Sequence, residues 1–418
     1  MILRSLRVRL LLCSLMLLAN AGCESLKHDS DVIRPSRTLP ATMPWDLGAL
    51  SEPPDYNWAK QDSSVWSLYY DGEPYQNRQT RVFAYYASPA TLGAEDAQDK
   101  TFPAVVLVHG GGGTAFGQWA ELWARRGYAA ISMDLAGCGP DRKRLPDGGP
   151  GQSDNEKFGA IDQSLQEQWT YHAVSNVILA HSLVRSFDEV DSSRTAVTGI
   201  SWGGYLTCIV AGLDNRFKAA VPVYGCGFLH DNSTWLGRFA KMSPEQKDKW
   251  VQLWDPSMYV GSARMPVFFV NGTNDFAYPL DSYSKTYGLV KGKRNLRITV
   301  NMPHSHEHGW APKEIGIFID QYLLGAVRLP TILEPHEAGG QVRAKVTSKT
   351  ALTSSNLHYT TGTTPINKLD WKTLPARIEG NRIVSPALPD EATIWFLTVG
   401  DNRDAVVSSE LVFSTGHE

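Results

Sequence analysis

Apolar residues follow two rhythms along this chain. Between about residue 102 and residue 324, short unbroken apolar runs alternate with stretches of helical period. The runs are 104–109, 129–134, 194–200, 219–224, 266–271 and 296–301, and they read as strands buried on both faces. The stretches between them, 115–126, 169–187, 202–213, 279–290 and 312–324, read as helices. Strand and helix in alternation predict βαβ units and a mostly parallel sheet, an α/β fold. Before this block, 65–70 and 80–86 predict two strands joined by a turn at Asp71-Gly72-Glu73-Pro74. After Leu329-Pro330 the helical period disappears. The short runs 342–346, 357–360, 394–399 and 406–413, separated by turn residues, predict a small C-terminal β-sandwich. Residues 136–160, rich in Gly, Pro, Asp and Arg, interrupt the α/β rhythm as a long loop of the kind that usually carries function.

The first 64 residues belong to neither rhythm. Arg4, Arg7 and Arg9 precede the short apolar run 10–18, the pattern of an export signal over residues 1–23. Ala19-Asn20-Ala21 fits a cleavage site. Asn20-Ala21-Gly22-Cys23 resembles a bacterial lipoprotein signal, in which Cys23 would carry a lipid anchor, although an aliphatic residue is usual at Asn20. Both readings place the protein outside the inner membrane, as a periplasmic or outer-membrane lipoprotein or as a secreted protein. Residues 24–64 then read as a tether and irregular lead-in, residues 65–329 as the α/β domain and 330–418 as the sandwich.

The 418 residues carry 40 basic and 43 acidic side chains, a net charge of −3, so no basic excess exists to hold nucleic acid. Thirteen Trp offer flat surfaces for sugar rings, though most such residues serve as core. Beyond Cys13 and Cys23, Cys138, Cys208 and Cys226 are an odd number without metal-ligand spacing, which allows at most one disulfide.

The chemistry centres on Gly199-Ile200-Ser201-Trp202-Gly203-Gly204, a G-x-S-x-G between a predicted strand and a predicted helix. In that context the serine stands on a sharp turn with its Oγ exposed at the sheet's C-terminal edge. A serine nucleophile needs donors for the oxyanion, a base and an orienting acid. His109-Gly110-Gly111-Gly112-Gly113 follows a buried strand, so the N–H groups of Gly111 and Gly112, with that of Trp202, are candidates for the oxyanion hole. It lacks the Lys-Ser/Thr ending of a phosphate-binding loop. Asp275, in Gly272-Thr273-Asn274-Asp275 after the 266–271 strand, is the candidate acid. After the 296–301 strand, His304, His306 and His308 compete as base. His306 is favoured for its loop reach and His304 is the nearer alternative. The three His could instead ligate a metal, but no carboxylate cluster completes such a site. No cofactor is expected.

The order Ser…Asp…His, the elbow and the Gly-rich loop resemble the α/β-hydrolase superfamily. Gly-Ile-Ser-Trp-Gly-Gly-Tyr-Leu, Gly-Thr-Asn-Asp and Met-Pro-His-Ser-His with Gly309-Trp310-Ala311-Pro312 are similar to acetylxylan-esterase-like and dienelactone-hydrolase-like proteins, and the elbow to prolyl oligopeptidase catalytic domains. The resemblance covers about residues 65–327 and implies an α/β-hydrolase fold with a triad of Ser201, Asp275 and one of His304 and His306. It implies a serine esterase of carbohydrate esters such as acetylated xylan. A serine peptidase of the prolyl oligopeptidase type is the alternative; few residues precede the sheet where such peptidases carry a propeller. A binding protein on an inactive scaffold would require a lost catalytic residue, and none is missing. The sandwich is expected to be fibronectin-III-like and without chemistry, so that a chain ending near Leu329 would keep hydrolysis of small esters if it folds, with a loss of stability if the face between the two parts is apolar.

Overall fold

The structure, a computed structural model, describes residue 33 and residues 39–95 and 100–414. The signal-like segment, Cys23 and residues 24–32 and 34–38 of the polar lead-in lie outside the described residues.

Three antiparallel strands lead into the main sheet: β1 (Tyr56–Lys60), β2 (Trp66–Tyr75) and β3 (Arg78–Ala87). The turn between β2 and β3 falls at Gln76-Asn77, both at positive φ, and not at the predicted Asp71–Pro74. A two-residue turn of that hand matches the twist of the flanking strands, while Gly72 to Tyr75 is absorbed as a bulge. β1 itself lies inside the stretch read as irregular.

The six apolar runs form the parallel strands β4 (Phe102–Val108), β5 (Ala129–Met133), β6 (Val190–Ile200), β7 (Ala219–Val223), β8 (Val267–Gly272) and β9 (Arg294–Thr299). Their order is β5-β4-β6-β7-β8-β9, and β3 joins antiparallel beside β5. Every residue of β4, β5 and β7 is buried, as unbroken apolar runs require. Helices α1 (Leu47–Leu50), α2 (Gly117–Ala124), α3 (Trp169–Arg185), α4 (Trp202–Leu213), α5 (Leu236–Phe239), α6 (Pro244–Trp254), α7 (Leu280–Leu289), α8 (His306–Trp310) and α9 (Lys313–Leu323) complete the layers. Sequence rhythm missed α6, which opens with a capping box between Ser243 and Gln246.

The C-terminal strands are β10 (Thr331–Ala338), β11 (Gln341–Thr347), β12 (Leu352–Thr360), β13 (Lys372–Pro375), β14 (Arg377–Glu379), β15 (Arg382–Ala387), β16 (Ile394–Asp401), β17 (Val406–Ser408) and β18 (Val412–Phe413). β10-β11-β15-β14 make one sheet. The others continue the main sheet itself: β17 pairs β9 through Ser408 and Leu296, and β16, β12 and β13 follow outward. Leu280 and Ile298 share one buried apolar cluster with Ile366, Leu369, Ile394, Phe396 and Leu411. The edge of β9 is thereby covered by the sandwich.

Candidate active site

Ser201 follows the last residue of β6 and caps α4 with φ 60° and ψ −119°, a conformation that a non-glycine residue adopts only under constraint. The constraint is the close approach of α4 to the sheet. A Cβ on Gly203 would stand 1.9 Å from the Val108 carbonyl oxygen, so only glycine lets the helix start there. The Ser201 N–H is held by the Val223 carbonyl at 2.9 Å.

His304, in the loop after β9, lies between Asp275 and Ser201. Its Nδ1–H donates to Asp275 Oδ2 at 2.6 Å, and the Ser201 hydroxyl donates to its Nε2 at 2.9 Å. The tautomer follows from the carboxylate, which can only accept. Asp275 is buried after β8, and its Oδ1 accepts the N–H groups of Ala277 at 2.9 Å and Tyr278 at 2.8 Å. The imidazole is stacked on Tyr224 at 4.3 Å and flanked by the exposed Phe276 at 4.9 Å.

His306, favoured by loop length, is elsewhere. It is the first residue of α8, and its Nε2 accepts the Gly110 N–H at 2.9 Å. His308 turns to Ser305, which leaves the three His with three separate partners. Among the described residues no group of three or more His, Cys, Asp or Glu is arranged to hold a metal ion. Burial pushes the His306 imidazole down to about 4, so it is neutral and able to accept near neutral pH.

The glycine loop is fastened from below as well. His109 is fully buried; its Nδ1–H donates to the Gly110 carbonyl at 2.7 Å and its Nε2 accepts the Leu135 N–H at 2.9 Å. Burial likewise lowers it to about 4. Gly110 abuts the elbow, since a Cβ on it would stand 2.9 Å from that of Ser201. Gly111 lies against the Trp202 indole, whereas Gly112 is exposed and faces open space. The Trp202 N–H belongs to the first turn of α4, where amides have no acceptor within the helix.

Aromatic rings close the other side. Trp235 packs on Trp202 at 4.6 Å and on Tyr278 at 5.3 Å. The long loop 136–160 supplies Phe158 and the buried Lys157, whose ammonium stands 4.3 Å over the Trp202 ring. Neither Trp235 nor Tyr278 was singled out from the sequence. The position of Tyr278, three residues after the Asp275 turn and just before a Pro, was the available signal. Cys138, Cys208 and Cys226 are all free.

A mostly parallel sheet whose strand, serine turn and helix form this elbow defines the α/β-hydrolase fold. The chain has the α/β-hydrolase fold and is similar to acetyl xylan esterases. The family model for acetyl xylan esterase (AXE1) matches residues 46–236, and that for PhoPQ-activated pathogenicity-related protein matches residues 238–368. The first span contains Ser201 and the glycine loop; the second contains Asp275 and His304. The solved acetyl xylan esterase from Paenibacillus sp. R4 is 26% identical with a TM-score of 0.52, over 66% of this chain and 92% of that one. Acetyl xylan esterase 1 from Thermoanaerobacterium sp. JW/SL YS485 shares the fold at 19% identity and TM-score 0.51, over 66% of this chain and 90% of that one. Among curated proteins, the uncharacterized peptidase YuxL of Bacillus subtilis is 23% identical over 237 residues, 54% of this chain and 33% of that protein. Dipeptidyl-peptidase 5 of Aspergillus oryzae is 21% identical over 269 residues, 60% of this chain and 34% of that protein. The chain thus spans about a third of the length of the curated relatives it matches.

Proposed function

We propose that this protein is an exported serine carboxylester hydrolase that removes acetyl groups from carbohydrate esters. The observation that carries the reading is the hydrogen-bond relay from Asp275 through His304 to Ser201, set at the N-terminus of α4. In the proposed mechanism Ser201 Oγ attacks the ester carbonyl carbon as its proton passes to His304 Nε2. Asp275 holds the imidazole in its tautomer and stabilises the imidazolium that forms. The Trp202 and Gly111 N–H groups receive the developing oxyanion, helped by the helix dipole. His304 then returns the proton to the departing alcohol oxygen. Water, deprotonated by His304, releases the acid from Ser201.

Two further observations favour a small acyl group. Trp235 packs on both Trp202, the residue after Ser201, and Tyr278, and we take this aromatic wall to limit the room for a long acyl chain. The match over residues 46–236 is to an acetyl xylan esterase family. The signal pattern of residues 1–23 supports export, with a lipid anchor at Cys23 as one form of it. A second reading, a serine peptidase, is favoured by the curated relatives that carry peptidase names. Acetate release from acetylated xylan, measured beside cleavage of dipeptidyl amides, separates the two. Amide cleavage without acetate release overturns the esterase reading.

A further inference from the structure

Tyr278 is fully buried, yet among the described residues its hydroxyl has no hydrogen-bond partner. A buried hydroxyl without a partner is costly, and native proteins retain few. This one cannot swing away. The Tyr278 N–H is bonded to Asp275 Oδ1 at 2.8 Å and its carbonyl accepts from Asn271 Nδ2 at 3.0 Å. Its ring lies parallel to that of His304 at 6.3 Å and edge-on to Trp235 at 5.3 Å. The Ser201 side chain lies beside the phenol without an aligned hydrogen bond. Burial drives the phenol well above its usual range, so Tyr278 keeps its proton at any working pH.

Of the groups around this hydroxyl, Ser201 is the one that gains and loses a covalent bond during turnover. In the resting state its O–H donates to His304 Nε2. After acylation Oγ has lost that proton, carries the acyl group, and can only accept. We infer that Tyr278 is a further catalytic residue, whose phenolic O–H donates to Ser201 Oγ in the acyl-enzyme. There it favours expulsion of Oγ when water attacks: the Oγ–acyl bond breaks, its electron pair returns to Oγ, and His304 supplies the proton. The phenol polarises the leaving oxygen and keeps its own proton throughout. The inference rests on Ser201 being the nucleophile.

Tyr278→Phe removes one oxygen and keeps the ring. With 4-nitrophenyl acetate, deacylation should slow by about tenfold, the worth of one hydrogen bond. Because acylation is untouched, kcat and KM should fall together, kcat/KM should hold within about twofold, and a burst of nitrophenolate should precede the steady state. The melting temperature should stay level or rise. An equal fall in kcat and kcat/KM would put the hydroxyl on the acylation step, and an unchanged kcat would leave it idle; either overturns the inference. If the phenylalanine variant does not fold, 3-fluorotyrosine at position 278 keeps the shape and strengthens the donor. It must then change kcat at constant kcat/KM, and no change overturns the inference. Retained hydrolysis in Ser201→Ala is a separate result, and it would overturn the nucleophile assignment instead.

Discussion

Gly110 donates its backbone N–H to Nε2 of His306 at 2.9 Å, which makes this imidazole a support for the glycine loop. His304, two residues earlier, holds both Ser201 and Asp275. The two histidines therefore fail differently when removed. His304→Ala should lower kcat by about 10³-fold or more, because among the described residues His304 is the group hydrogen-bonded to the serine hydroxyl. His306→Ala should cost about tenfold, through loosening of the loop beside the oxyanion. Parallel measurements of kcat on one acetyl ester decide it, and the reverse order would return the base to His306.

Ser201→Ala should leave the fold intact and reduce ester turnover by about 10⁴-fold or more. Circular dichroism and an acetate assay on the same preparation test both halves. Near-normal turnover would reject the serine mechanism.

Folding stability should fall as pH drops from 6.5 toward 4. Burial lowers His109, His172, His306 and His358 to about 4 and His181 to about 3, from an unfolded value near 6.5. In that window the unfolded chain binds more protons than the folded one, so acid favours unfolding. The contribution is fully present above pH 6.5 and is lost as pH falls through the folded values. Urea midpoints measured from pH 7.5 to 4.5 should decline steadily; a flat profile would contradict the neutral buried histidines.

A chain ending at Leu329 should be insoluble or unfolded, contrary to what a detachable module would allow. Truncation would uncover the β9 edge and the apolar face of Leu280 and Ile298, now covered by Phe396 and Leu411. It would also remove the Leu369 carbonyl that accepts from Asn274 Nδ2 at 2.9 Å, next to Asp275. Soluble expression with full activity on a small acetyl ester would show the two parts to be independent.

Local order made the core of this architecture legible in the chain. The runs 104–109, 129–134 and 219–224 are apolar without interruption because both faces of β4, β5 and β7 are covered, and that is a property of consecutive residues. The elbow is legible for the same reason: Gly199, Ser201 and Gly203 meet their constraint within one turn. Asp275 could be placed by its position at the end of an apolar run. The choice between His304 and His306 could not, because it depends on how the loop after β9 bends toward a strand more than 90 residues away in the chain, and on which imidazole the glycine loop captures. The hairpin turn was displaced by a bulge that only strand pairing creates. The joining of the sandwich to β9 and the seating of Tyr278 beside Ser201 likewise arise from contacts between distant segments, where burial and hydrogen bonding are set by packing and leave no periodic trace in the sequence.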